Sequence, residues 1–265
     1  MFRATLSELS RLQRKSFLLG WVGISALFVT MISTFTFKAA ADGTTLPSSA
    51  PGVSFPTAAA LVQPDGIVSG LGSAATLLGV VTLAFWAIAT ATDYSTGLVR
   101  LLVQAQPNRP RLLGGKILAL TGWTAAVTTV VTIVAVALAP LMARATGIST
   151  SAWTTGIVGN VAGAWLNTFL ALMVWGVIGL VIAVLTRSSA VAIAVGVGYV
   201  LVFEAVVRLA SARLADWLPG STLNALAHGG TAAVAYGTAV ALGLAYASFG
   251  LVTAAVTFKR RDILD

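Results

Sequence analysis

Apolar residues run in six long stretches, at about 16–37, 67–92, 114–141, 156–186, 189–208 and 229–258, with polar and charged residues gathered between them. A helix needs roughly 20 mostly apolar residues to cross a hydrocarbon core about 30 Å thick. The pattern therefore predicts six transmembrane helices. The stretch 156–186 exceeds what a crossing needs, which predicts a tilt or a kink. Residues 2–15 differ in character. Phe2, Leu6, Leu9 and Leu12 recur at spacings of four, three and three, while Arg3, Glu8, Arg11, Arg14 and Lys15 fall largely on other faces. That periodicity predicts an amphipathic helix lying in the membrane interface. The expected architecture is an all-α integral membrane protein, with an interfacial helix over 1–15 and a six-helix transmembrane domain over 16–265. The loop 38–66 carries Pro47, Pro51, Pro56 and Pro64 and reads as external, with a short helix from Pro56 to Gln63.

Composition supports the pattern. Hydrophobic residues make up 57% of the 265 and charged residues 9%, with a mean hydropathy of +0.93. Soluble domains carry about 25% charged residues, so lipid must be the solvent for most of this surface. The net charge of +8 points to basic loops beside anionic lipid rather than to nucleic acid. Twelve Lys and Arg residues fall on one side of the predicted spans and four on the other. The basic side faces the cytoplasm in such proteins. This predicts a multi-pass plasma-membrane protein with both termini cytoplasmic and with 38–66, 143–155 and 209–228 outside. Ala39-Ala40-Ala41 mimics a signal-peptide cleavage site, but the stretch before it is longer than a signal h-region and reads as a span.

No catalytic, cofactor or metal constellation emerges. There is no cysteine and one histidine, His228. The Gly115-Lys116 pair is followed by Ile117, and Pro110 stands where a phosphate-binding loop needs glycine. Asp93 has no aspartate partner for intramembrane proteolysis. The informative segment is 93–116. Leu98, Leu101, Leu102 and Ala105 share one face of a short helix, and Arg100 and Gln104 share the other. Pro107 ends that helix, and Asn108 to Pro110 make a turn. Such a helix on the cytoplasmic side suits either a partner's groove or the lipid headgroups.

This segment resembles the signature of type 2 ABC exporter permeases, in which an acid at the end of the second span precedes a glycine and a leucine-rich coupling helix. A Pro-x-x-Arg-like turn and a Gly-Lys start to the third span follow. Asp93, Gly97, Leu101, Leu102, Arg109, Gly115 and Lys116 match. The commoner glutamate is aspartate here, and Leu98 replaces a threonine. Trp217-Leu218-Pro219, Glu204 in the preceding span, and the closing Phe258-Lys259-Arg260-Arg261-Asp262-Ile263 are also similar to such permeases. The resemblance implies a permease working as a homo- or heterodimer, with ATP bound by a separate ABC subunit. It implies that residues 1–15 form a connecting helix. Asp93, Gly97, Leu98, Leu101, Leu102 and Arg109 then belong to the element that couples to the ATPase.

The spans hold few polar groups. Glu204 and Arg208 stand one turn apart in the order that favours an ion pair. They are expected to pair, or Glu204 to meet a cationic group of a substrate or of a second chain. Asn160 and Asn167, seven apart on the fourth span, are expected to bond to a neighbouring helix or to line a pathway. Gly66-x-x-x-Gly70 and Gly159-x-x-x-Gly163 predict close helix packing, within the chain or between chains. Trp153 and Trp217 suit an interfacial belt, and His228 an interface position. The expected function is export of an apolar or amphipathic small molecule. The alternatives are a non-transporting assembly factor or scaffold, and a secondary transporter driven by an ion gradient.

Overall fold

The computed structural model describes residues 15–43, 55–97 and 109–260. Among them the regular elements are helical, with no strand. The expected interfacial helix, apart from its last residue, and Leu98, Leu101 and Leu102 of the expected coupling helix lie outside the described residues. In chain order the helices are α1 (Lys15–Ala41), the short α2 (Ala58–Leu61), α3 (Ser69–Ser95), α4 (Arg109–Thr146), α5 (Ile157–Thr186), α6 (Ser189–Gly198), α7 (Glu204–Ala210), α8 (Ala212–Ala215), α9 (Pro219–Ala227) and α10 (Tyr236–Arg260). A 3₁₀ turn, Gly66–Val68, leads into α3, and a π-helical turn, Tyr199–Phe203, joins α6 to α7. Among the described residues five helices, α1, α3, α4, α5 and α10, are long and apolar enough to cross a membrane and mark a multi-pass membrane protein.

The first four predicted spans coincide with α1, α3, α4 and α5, though α4 is longer than predicted. Its 38 residues measure about 57 Å at ~1.5 Å per residue, well beyond the hydrocarbon core. The fifth predicted stretch, 189–208, is helical throughout but passes through the π-helical turn. The last span starts at Tyr236 rather than near 229. The reason lies in Gly229 and Gly230, which adopt φ of 74° and 110° and break the chain into a turn before the helix begins. Thr57 caps the short α2 by accepting from the Ala60 amide, inside the helix expected from Pro56 to Gln63.

α3 and α5 form the centre of the bundle. Their most apolar windows are 78% and 61% buried, against 22% for α1 and 17% for α10. In lipid there is no hydrophobic drive for helices to associate, so close packing must hold them. Here tryptophans sit over glycines in both directions. A Cβ on Gly79 would lie 2.2 Å from the Trp175 ring, and one on Gly176 would lie 2.5 Å from the Trp86 ring. The Trp86 indole then donates to Thr124 Oγ1 of α4 at 3.0 Å. A Cβ on Gly179 would lie 2.3 Å from the Leu83 carbonyl oxygen. Backbone cannot step aside as a side chain can. Gly179→Ala is therefore expected to cost about 1–3 kcal/mol and to lower the melting temperature in detergent. Gly163→Ala, with nothing within 4 Å of its Cβ, should melt like the parent protein. Equal melting of the two would show that α3 and α5 do not meet backbone to backbone.

The two small-residue motifs separate in the same way. Gly66 and Gly70 face close neighbours within the chain, the Leu61 carbonyl and the Ser33 hydroxyl, whereas Gly159 and Gly163 face open space. Trp153, expected in an interfacial belt, is instead 4% exposed. Its indole donates to the Leu61 carbonyl at 2.8 Å, and its ring meets Phe37 edge-on. It closes the end of the bundle where α1, α2 and α4 converge. Trp217 is well exposed.

Residues 209–228, expected as an external loop, hold a hairpin in which α9 is buried while α8 is largely exposed. α8 turns the chain back, and α9 packs against α3, α5 and α10. The hairpin reaches far into the bundle. The Tyr246 hydroxyl donates to the Trp217 carbonyl, and Tyr246 stands ten residues, about 15 Å, into α10. From there α9 climbs outward. Asn224 donates to Thr76 at 3.3 Å, and the His228 ring rests on Gly72 near the start of α3.

Candidate functional site

Among the described residues two polar clusters lie inside the bundle, the first toward one end and the second nearer mid-depth. At the first, Asp93 sits in the last turn of α3 and Lys116 in the second turn of α4. Lys116 Nζ lies 2.6 Å from Asp93 Oδ2, and their side chains are 8% and 10% exposed, aspartate first. Lys116 also donates to the Ala89 carbonyl at 2.9 Å. A cation near a helix C-terminus is favoured by the helix dipole, so the ammonium is held by a carboxylate and by the end of α3 together. Gly97 ends α3 with φ of +68°, and its amide bonds back to the Tyr94 carbonyl. Arg187, itself left-handed at φ 56°, places its guanidinium 6.0 Å from the centre of the Tyr94 ring. The ion pair thus joins the end of α3 to the early part of α4, the two helices that flank residues 98–108 in the chain. Arg109 starts α4, and its side chain is outside the described residues. The sequence offered Asp93 and Lys116 separately. The signal for the pair was an acid closing one span and a lysine opening the next.

At the second cluster Glu204 is 1% exposed. Its Oε1 accepts from the Gly220 amide at 2.6 Å, and the Ser221 amide also points at the carboxylate. A helix start carries orphan N–H groups and partial positive charge. α9 begins deep in the bundle, where water cannot satisfy those groups. Glu204 supplies the missing acceptor from another helix. A Cβ on Gly220 would lie 2.2 Å from Glu204 Oε2, so only glycine admits the carboxylate this closely. The expected ion pair between Glu204 and Arg208 is replaced by this contact. Arg208 pairs instead with Asp216 at 3.5 Å and donates to Ser221 Oγ. Both charged groups of α7 therefore bind the hairpin. His228 ends α9 with its ring Nδ1–H donating to the Asn224 carbonyl at 2.9 Å. Its Nε2 is buried without a partner, and burial pushes the imidazole below the usual histidine pKa, which keeps it neutral.

The two asparagines do not share a site. Asn160 donates to the Pro64 carbonyl at 3.0 Å and holds the loop that leads into α3. Asn167 accepts from the Tyr236 hydroxyl at 2.7 Å and ties α5 to the start of α10.

A family model matches residues 26–264, which include every residue of both clusters. The chain belongs to the DUF2705 family. That family is described as proteins of unknown function. A search of curated proteins gave no match.

Proposed function

We propose that this chain is the transmembrane permease subunit of an ATP-driven exporter of the ABC type. On this reading two permease chains form the pathway, and separate ATPase subunits bind beneath them at the plasma membrane. The observation that carries the reading is the buried Asp93–Lys116 pair, which joins the two helices that flank the segment resembling a coupling helix. A segment that must transmit force needs rigid anchors, and an ion pair set into two spanning helices supplies them. On this reading the run from Ser189 to Ala210 is a further crossing, fifth in chain order, which brings the count to six. The connection Arg187-Ser188 is only two residues long, which favours a return path beside α5. Six crossings leave both termini in the cytoplasm, in keeping with the basic flanks. The few polar groups in the spans suit an apolar or amphipathic cargo.

The test is Leu101→Asp in the assembled complex. A charge on the apolar face of a docked helix must shed its water or force the helix out of its groove, at a cost of several kcal/mol. Cargo-stimulated ATP hydrolysis and transport are expected to fall at least about tenfold, the equivalent of 1.4 kcal/mol, with normal insertion. The permease alone should not hydrolyse ATP. Undiminished coupling in Leu101→Asp would reassign the segment to the lipid surface and leave a scaffold as the better reading.

A further inference from the structure

A cavity of about 270 Å³ opens sideways between α6 and α10, with α5 as its back wall. Trp175, Ile178, Val195, Tyr199, Pro219 and Phe249 are among its walls. It lies at mid-depth: Leu83, which also lines it, and Phe249 stand near the midpoints of α3 and α10. Its polar atoms are turned to other work. The Tyr246 hydroxyl is given to the Trp217 carbonyl, and the Tyr199 hydroxyl faces Glu204. A water needs two to four polar partners, and the walls of this space are almost wholly apolar. At its mouth Val195 and Phe249 are 49% and 76% exposed, so the walls run on into the surface that meets lipid.

We propose that this cavity takes the acyl chain of a bilayer phospholipid. An apolar cavity of ~150 Å³ admits benzene. The space here is nearly twice that, which suits a stretch of hydrocarbon chain and excludes a headgroup. The occupant comes from a solvent as apolar as the walls, so no hydrophobic gain drives it in. Dispersion contacts do, because an unfilled space forfeits them on every wall. The bound chain therefore exchanges with the bilayer and is selected by shape rather than by charge.

Trp175 makes this testable, because it lines the cavity while being 1% exposed. Trp86 is equally buried and does not line it. The full chain is reconstituted into phosphatidylcholine vesicles whose acyl chains are brominated at mid-chain, a short-range quencher of tryptophan. Emission is compared among the parent protein, Trp175→Phe and Trp86→Phe. The component lost in Trp175→Phe should be at least halved by brominated lipid, and the one lost in Trp86→Phe should be unquenched. Val195→Phe, which narrows the mouth at a half-exposed position, should protect Trp175 without lowering the melting temperature. Should Trp175→Phe fail to fold, a phospholipid carrying a mid-chain diazirine is photolysed with the parent protein. Adducts are then expected on the peptide holding Trp175 and Ile178. Equal protection of Trp175 and Trp86, quenching undiminished in Val195→Phe, or adducts confined to the outer faces of α1 and α4 would overturn the proposal.

Discussion

Lys116→Ala is expected to destabilise the protein by about 3–5 kcal/mol, the range found when one partner of a buried ion pair is removed. The loss is large because Asp93 stays behind, 8% exposed in side-chain terms, with its main counter-charge gone. A buried group of this kind must either keep its charge with poorer compensation or take up a proton, and both are costly. At roughly 2–4 °C per kcal/mol for a chain of this size, the apparent Tm should fall by about 10 °C. The double variant Asp93→Asn with Lys116→Met removes both charges and should recover most of that loss. A recovered melt combined with lost ATPase coupling would separate the role of the charged pair in coupling from simple packing. A single variant that melts like the parent protein would mean that the pair is solvated in the membrane.

The second large effect falls on Glu204. Glu204→Ala leaves the Gly220 amide without its acceptor and removes the negative charge from the start of α9. Hydrogen bonds to charged groups contribute about 1.5–3 kcal/mol, and lost caps cost about 0.5–2 kcal/mol. The expected cost is about 2–4 kcal/mol. Hydrogen exchange locates it: the amides of Gly220 and Ser221 should exchange faster, while those of α3 stay protected. Glu204→Gln keeps an acceptor but no charge and should lose less. Gly220→Ala should mimic Glu204→Ala by pushing the carboxylate aside. The double variant should cost less than the sum of the two, because both break one interaction. Additive losses would show that Gly220 and Glu204 act separately.

The contrast between the two clusters explains what the sequence revealed. Spans were legible because lipid demands long apolar runs, and α1, α3, α4 and α5 follow them. The start of α10 was misjudged because Gly229 and Gly230 sit in a run of small apolar residues whose hydropathy hides a turn. The hairpin was illegible for a different reason. α9 is nine residues long, too short for a crossing, and Ser221, Thr222 and Asn224 make it look like a loop. Their partners are Arg208 and the Asp216 carbonyl, just upstream, and Thr76 in distant α3, and none of these pairings shows in the pattern of apolar residues. At Glu204 and Arg208 the rule for neighbours one turn apart was overridden. The start of a helix sixteen residues on competes for the carboxylate and wins, since it brings backbone donors that have no other acceptor. The Asp93–Lys116 pair was within reach of the sequence, since both residues were visible and only their meeting was not.

The π-helical turn at Tyr199–Phe203 has a bearing on chain length. A π turn holds one residue more than the α-helix around it needs. Elsewhere in a span, deleting one residue swings everything beyond it by about 100° around the axis. Here the surplus residue can be given up and the turn revert to α, so Ser189–Gly198 and Glu204–Ala210 keep their faces. The segment is thus a phase adjuster between the tight turn at Arg187-Ser188 and the carboxylate under α9. It marks a place among the described helices where one residue can be given up while the register on either side is kept.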